Sequence, residues 1–200
     1  MMSIGEIKNI LKRMLTHRRY EHSVKVMEAA VMLAEKYGED VEKAAVAGLV
    51  HDCAKDLKDG EVFELCEKYG ITTDKIMRSQ PELLHGPVGA FLARDLFGID
   101  CPRVLDAISV HTMGRRGMDK LGSIIFIADY IEENRDYPGV GVIRTAAEES
   151  LEKAIIAGID NTIRHVLDKG RLLHPQTVDT RNWALEKLTE RNAGKLMEEG

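Results

Sequence analysis

Apolar residues recur at three- and four-residue spacing along almost the whole chain, and this restricts it to packed helices. Ile4, Ile7, Leu11 and Met14 form one stripe, and Val26, Ala29, Leu33 and Tyr37 form the next, which Gly38 closes as a C-terminal cap. Asp40 predicts the N-cap of a third helix, rich in Ala44, Ala45, Ala47 and Gly48. Small residues let helix backbones approach, so this helix is expected at the centre. The same spacing predicts helices over 61–69, 87–97, 102–111, 120–133, 142–168 and 182–191. The run 123–131 has the composition of a buried strand, but no second strand exists for it to pair with, which decides for helix. The expected fold class is all-α, in a single domain. Three loops stand out, over 112–119, 134–141 and 172–180, each combining Gly or Pro with Arg or His.

With 200 residues, 44% of them hydrophobic and 30% charged, the chain can bury one ordinary core. A net charge of -5 disfavours non-specific nucleic-acid binding, so no nucleic-acid partner is expected. Three cysteines (Cys53, Cys66, Cys101) show no CxxC pair, which fits free thiols in a reducing compartment. The first residues lack a signal-peptide core, and no apolar run approaches the roughly 20 residues of a membrane span. A cytoplasmic location without a membrane partner is the expectation.

Four polar residues fall on faces that should be buried. His22 lies four residues before Val26 and seven before Ala29. His51 and Asp52 end the small-residue helix, and Asp129 follows Ile125 by one helical turn. A carboxylate on such a face costs several kcal/mol unless it is paired or bound to a cation. Two imidazoles and two carboxylates form an N/O ligand set suited to Fe(II), Mn, Co, Ni or Zn as a catalytic ion. Four protein ligands leave coordination positions open for water and a phosphate oxygen, as metal-assisted phosphoester hydrolysis requires. Cys53, about 200° around the helix from His51, should point away. Each residue also has a plainer explanation: a lone core histidine with one hydrogen bond, or Asp129 paired with Arg135 or Lys120. The combination over three helices is what favours a metal.

His85, opening a Gly-Pro-Val turn, and His111, ending a helix, form a second ring. They could bind phosphate, protonate a leaving group or hold a second metal; a capping residue and a cation against a helix dipole are the alternatives. Arg19, Arg115, Arg116, Arg135 and Arg171 lie in or beside the loops. Arg19 and Arg135 are favoured as phosphate ligands by their nearness to His22 and Asp129. Lys55 could neutralise a phosphate or pair with Asp56 or Asp59. No P-loop, GxGxxG or GxSxG motif is present.

The order His22, His51-Asp52, Asp129 resembles the HD superfamily of metal-dependent phosphohydrolases. The segments Arg19-Tyr20-Glu21-His22-Ser23, His51-Asp52-Cys53-Ala54-Lys55, the stretch 81–90, His111-Thr112-Met113-Gly114-Arg115, Ala128-Asp129-Tyr130-Ile131-Glu132 and Asn134-Arg135 are more specifically similar to the bacterial YqeK proteins. The likeness runs from about residue 10 to 185, implying an HD-type helical bundle followed by a C-terminal helical tail over 186–200. It implies a symmetrical bis(5'-nucleosyl)-tetraphosphatase that cleaves diadenosine tetraphosphate into two ADP, with iron as the metal. By this resemblance His22, His51, Asp52 and Asp129 are metal ligands; the chemistry of the site leaves Asp52 as the catalytic proton acceptor and His85 or His111 as the catalytic acid. Arg19, Asp52, His85, His111 and Arg135 contact the nucleotide, and the loop with Leu172, His174 and Thr177 closes over it. A homodimer is compatible with this reading.

Rival readings are another HD phosphatase or phosphodiesterase, and a nucleotide-binding sensor without turnover. The Gly-Tyr-Pro signature of cyclic-dinucleotide enzymes is missing. Guanosine-tetraphosphate hydrolases carry an acidic pair after His-Asp, where this chain has Lys55-Asp56.

Overall fold

A computed structural model describes residues 2–198, and among these every regular element is a helix. The order is α1 (Ile4–Met14), α2 (His17–Tyr37), α3 (Val41–Val50), α4 (Asp59–Tyr69), α5 (Lys75–Ser79), a 3-10 turn (Pro81–Leu84), α6 (His85–Phe97), α7 (Pro102–Val110), α8 (Lys120–Ile131), α9 (Val140–Glu149), α10 (Leu151–Asp168) and α11 (Pro175–Glu198). The run 123–131 lies in α8, where Leu121, Ile124, Ile125, Phe126, Ile127 and Ala128 are all buried. None of the described helices is long and apolar enough to cross a membrane.

Helices α2, α3, α7 and α8 pack against one another around the core. Gly48 makes the α2–α3 crossing: a Cβ there would stand 3.0 Å from the Met27 backbone and 3.1 Å from Ala30 Cβ. Local chemistry fixes the helix ends. Asp40 accepts from the Lys43 amide at 3.0 Å and Asp119 from the Gly122 amide at 2.7 Å, each satisfying an otherwise orphaned donor. Gly38 ends α2 in the left-handed conformation, as its position predicts.

The helix expected over 142–168 is two helices. Ser150 takes an extended conformation (φ -164°, ψ 156°) and caps α10 by accepting from the Lys153 amide, which breaks a pattern that periodicity alone cannot see broken. α5 and the 3-10 turn are too short to carry a periodic signal. α11 begins at Pro175 and so takes in two thirds of the loop expected over 172–180. The boundary at 186 falls inside α11, and residues 199 and 200 lie outside the described residues.

Candidate metal centre

Helix ends deliver the reactive side chains. His51 is the C-cap of α3, His111 the C-cap of α7, and His85 stands where the 3-10 turn meets α6. Each uses the same device: Nδ1 donates to the carbonyl three residues earlier, Gly48 at 2.8 Å, Ile108 at 2.7 Å and Glu82 at 2.5 Å. A carbonyl can only accept, so these bonds place a proton on Nδ1 of each ring and turn Nε2 inward, where that of His51 is left as a bare lone pair. Gly86 brings the two outer rings together, since a Cβ there would lie 2.8 Å from both the Ser109 carbonyl and Thr112 Oγ1. His85 Nε2 consequently sits 2.9 Å from His111 Nε2.

His22, His51, Asp52 and Asp129 converge. His22 Nε2 lies 3.0 Å from Asp129 Oδ1 and 3.8 Å from Asp52 Oδ2. His51 Nε2 lies 3.8 Å from each of the same two oxygens. These separations suit donors that share one ion at about 2.0–2.2 Å. His22, His51 and Asp129 form one potential metal-holding group, and His51, Asp52 and His111 another. His51 is fully buried, and its Nε2 has no hydrogen-bonding partner among the described residues. A buried imidazole nitrogen left unpartnered is costly in a protein but is what a metal ligand looks like without its ion. The residues therefore fit a divalent cation.

The electrostatics agree. Burial pushes His51 down to about 3, so its lone pair stays free at neutral pH. Burial opposes ionisation of Asp52, but His51, His111 and His85 outweigh it and hold the carboxyl well below the usual range. Asp129 is likewise held low, against burial, by His22, His51 and Arg135. Burial disfavours charge on His22 too, yet Asp129 and Glu132 raise its pKa overall.

Asp52 faces two ways: Oδ2 towards His22 and His51, Oδ1 towards His85 at 3.0 Å and His111 at 3.5 Å. Lys55 points its ammonium at His85 Nε2 from 2.9 Å, rather than pairing with Asp56 or Asp59. Arg19 instead takes Asp56, at 2.6 Å. Arg135 lies against Asp129, the pairing foreseen as the plainer explanation of that carboxylate, but Asp129 meets His22 as well. Cys53 points away as expected, its thiol towards the Gly89 carbonyl at 3.4 Å.

Two cavities open on this cluster. One, of about 880 Å³, is lined by Arg18, Arg19, His22, Asp52, Asn134 and Asp136 among others. The second, of about 720 Å³, is lined by His85, His111, Thr112, Asn161, Thr162, Arg164 and His165 among others. Lys55, Asp129, Arg135 and Tyr137 belong to both.

Leu172, His174 and Thr177 line neither cavity. His174 is buried with Nε2 donating to Asp74 at 2.7 Å and Nδ1 accepting from the Gln176 amide, while the Leu172 carbonyl accepts from Gln80. The segment ties α11 to α5 and the 3-10 turn. Glu132, Tyr137, Asn161 and Thr162 were not singled out from the sequence. For Glu132 a signal existed, since it follows Asp129 by three residues on the same helix end.

The HD domain family model matches residues 19–134. A protein of Halalkalibacterium halodurans named "Bis(5'-nucleosyl)-tetraphosphatase, symmetrical" is 42% identical over 92% of this chain and 98% of its own length. One of the same name from Bacillus subtilis is 40% identical, over 91% of this chain and 97% of its own. A crystal structure from Clostridium acetobutylicum, described as a predicted HD superfamily hydrolase involved in NAD metabolism, superposes with a TM-score of 0.90. It is 45% identical and covers 94% of this chain and 99% of that one. With the motif residues gathered at one buried point and relatives matching nearly end to end, the chain belongs to the HD domain family, in the group that includes the symmetrical bis(5'-nucleosyl)-tetraphosphatases.

Proposed function

We propose that this chain is a metal-dependent phosphohydrolase that cleaves diadenosine tetraphosphate symmetrically into two ADP. The observation that carries the reading is the convergence of His22, His51, Asp52 and Asp129, with His51 Nε2 unpartnered, at the junction of two cavities. A substrate with a nucleoside at each end and the scissile bond midway needs a reactive centre with room on both sides. The names of the close relatives supply the substrate class.

His22, His51, Asp52 and Asp129 would hold the ion; the N/O set suits Fe(II), Mn, Co, Ni or Zn, and the resemblance to the YqeK proteins selects iron among them. When bound, the ion supplies Lewis-acid polarisation of phosphorus and a nucleophile at neutral pH. Arg135 and Lys55, shared by both cavities, bind the phosphate bridge, and Arg19 binds it within the first cavity. Asp52 orients the centre, one oxygen towards each ring of histidines. Burial and Lys55 lower the pKa of His85, so the resting ring is neutral and accepts at Nε2. The Lys55 ammonium is then the positive group on this side, placed to offset charge developing on the departing ADP beside His85 and His111.

Protein purified anaerobically and loaded with Fe(II), then given diadenosine tetraphosphate, should yield ADP as its sole nucleotide product. ATP with AMP, or release of inorganic phosphate, would overturn the symmetrical reading. Tight nucleotide binding without turnover in the iron-loaded protein would favour a sensor.

A further inference from the structure

Three of the four histidines in the cluster keep their rings oriented without help from outside their own segment. His51, His85 and His111 stand at helix or turn ends, where the carbonyl three residues back is free to accept from Nδ1. His22 cannot do this. It is the sixth residue of α2, where neighbouring carbonyls are engaged in the helix's own bonds. Its Nδ1 instead reaches across to Glu132 Oε1 at 3.1 Å, 110 positions away in sequence.

Glu132 is placed for this task. It is 3% exposed and is the C-cap residue of α8, three residues after Asp129. Its second oxygen accepts from the Asn134 amide at 2.6 Å, and its own carbonyl accepts from the Arg135 amide at 3.0 Å and from Arg144 at 2.8 Å. The carboxylate is thus clamped on the side away from His22. A buried carboxylate costs several kcal/mol unless its partners compensate it, and a neutral acceptor would have served the backbone amide alone.

We propose that Glu132 is a positioning residue: by accepting from His22 Nδ1 it fixes the ring's tautomer and direction and strengthens Nε2 as a metal ligand. The inference rests on the reading of the cluster as a metal centre. Partners of this kind raise ligand basicity, and their loss typically weakens metal binding. His22 alone in the cluster depends for this on a residue from another helix.

Titration calorimetry of the metal-free full chain with Mn(II) tests it, alongside thermal unfolding of the same metal-free samples. Glu132→Gln should weaken Mn(II) binding about 10- to 100-fold while leaving the unfolding midpoint of the metal-free protein unchanged or higher. Glu132→Asp, which keeps the charge but withdraws the oxygen by about 1.5 Å, should also weaken binding. In a His22→Ala background, Glu132→Gln should weaken it no further. Wild-type affinity in Glu132→Asp or Glu132→Gln, or a loss of equal size with and without His22, would overturn the proposal. Should the wild type itself bind no Mn(II), the metal reading fails; should it bind while the variants match it, only the role of Glu132 fails.

Discussion

The cluster at the ends of α2, α3, α7 and α8 and the segment around His174 both bury a histidine beside a carboxylate, yet they satisfy their polar atoms in opposite ways. His174 has both ring nitrogens engaged, with Asp74 and with the Gln176 amide, and the neighbouring Leu172 carbonyl accepts from Gln80. In the cluster the backbone bonds are used up in holding the rings, and Nε2 of His51 is left without a partner. A structural tie closes its own hydrogen bonds, whereas a binding centre keeps lone pairs for something it does not contain.

The strongest way to break that comparison is to remove the acids. Asp52→Ala and Asp129→Ala should each abolish metal retention and turnover. They should destabilise the metal-free fold by less than the about 3–5 kcal/mol of a large core truncation such as Phe126→Ala, because the lost carboxylate takes its desolvation cost with it. Metal analysis and urea unfolding measure the two effects separately, and full metal occupancy in either variant would refute the ligand assignment.

Acid provides the next contrast. His51 is neutral when folded down to about pH 3, while the unfolded chain takes up a proton below about 6.5. The unfolded state therefore binds more protons in this window, and stability should fall by about 1.4 kcal/mol per pH unit as pH drops through it. His85, also lowered, adds in the same sense. His22, whose pKa is raised, acts with the opposite sign: its contribution is present below the ordinary histidine value and fades as pH rises through the folded one. Urea midpoints of metal-free wild type and His51→Gln between pH 4 and 7 should differ in slope by the share of this one proton.

His174→Ala should give the smallest effect, about 1 kcal/mol of stability from its lost hydrogen bonds, with Mn(II) binding intact. A KM within about twofold of wild type would leave the segment a tie between helices, and a rise of about tenfold would place it on the nucleotide. Thermal unfolding and steady-state kinetics with diadenosine tetraphosphate decide between them.

Much of this was legible beforehand. The stripes of α1 and α2, the caps at Gly38 and Asp40, and the reading of 123–131 as helix follow from local chemistry and periodicity. The break at Ser150 was hidden, since one extended residue interrupts the backbone without disturbing the apolar pattern on either side.

The sequence by itself determined that His22, His51, Asp52 and Asp129 would face inward, because helical spacing assigns every residue a face. Only the tertiary structure decided which atoms meet. The approach of α6 to α7 at Gly86, the division of Asp52 between two rings of histidines and the reach of Glu132 to His22 depend on helix crossings that join residues far apart in sequence, up to 110 positions for His22 and Glu132. Local propensity carries no information about such pairings; packing of the whole core sets them.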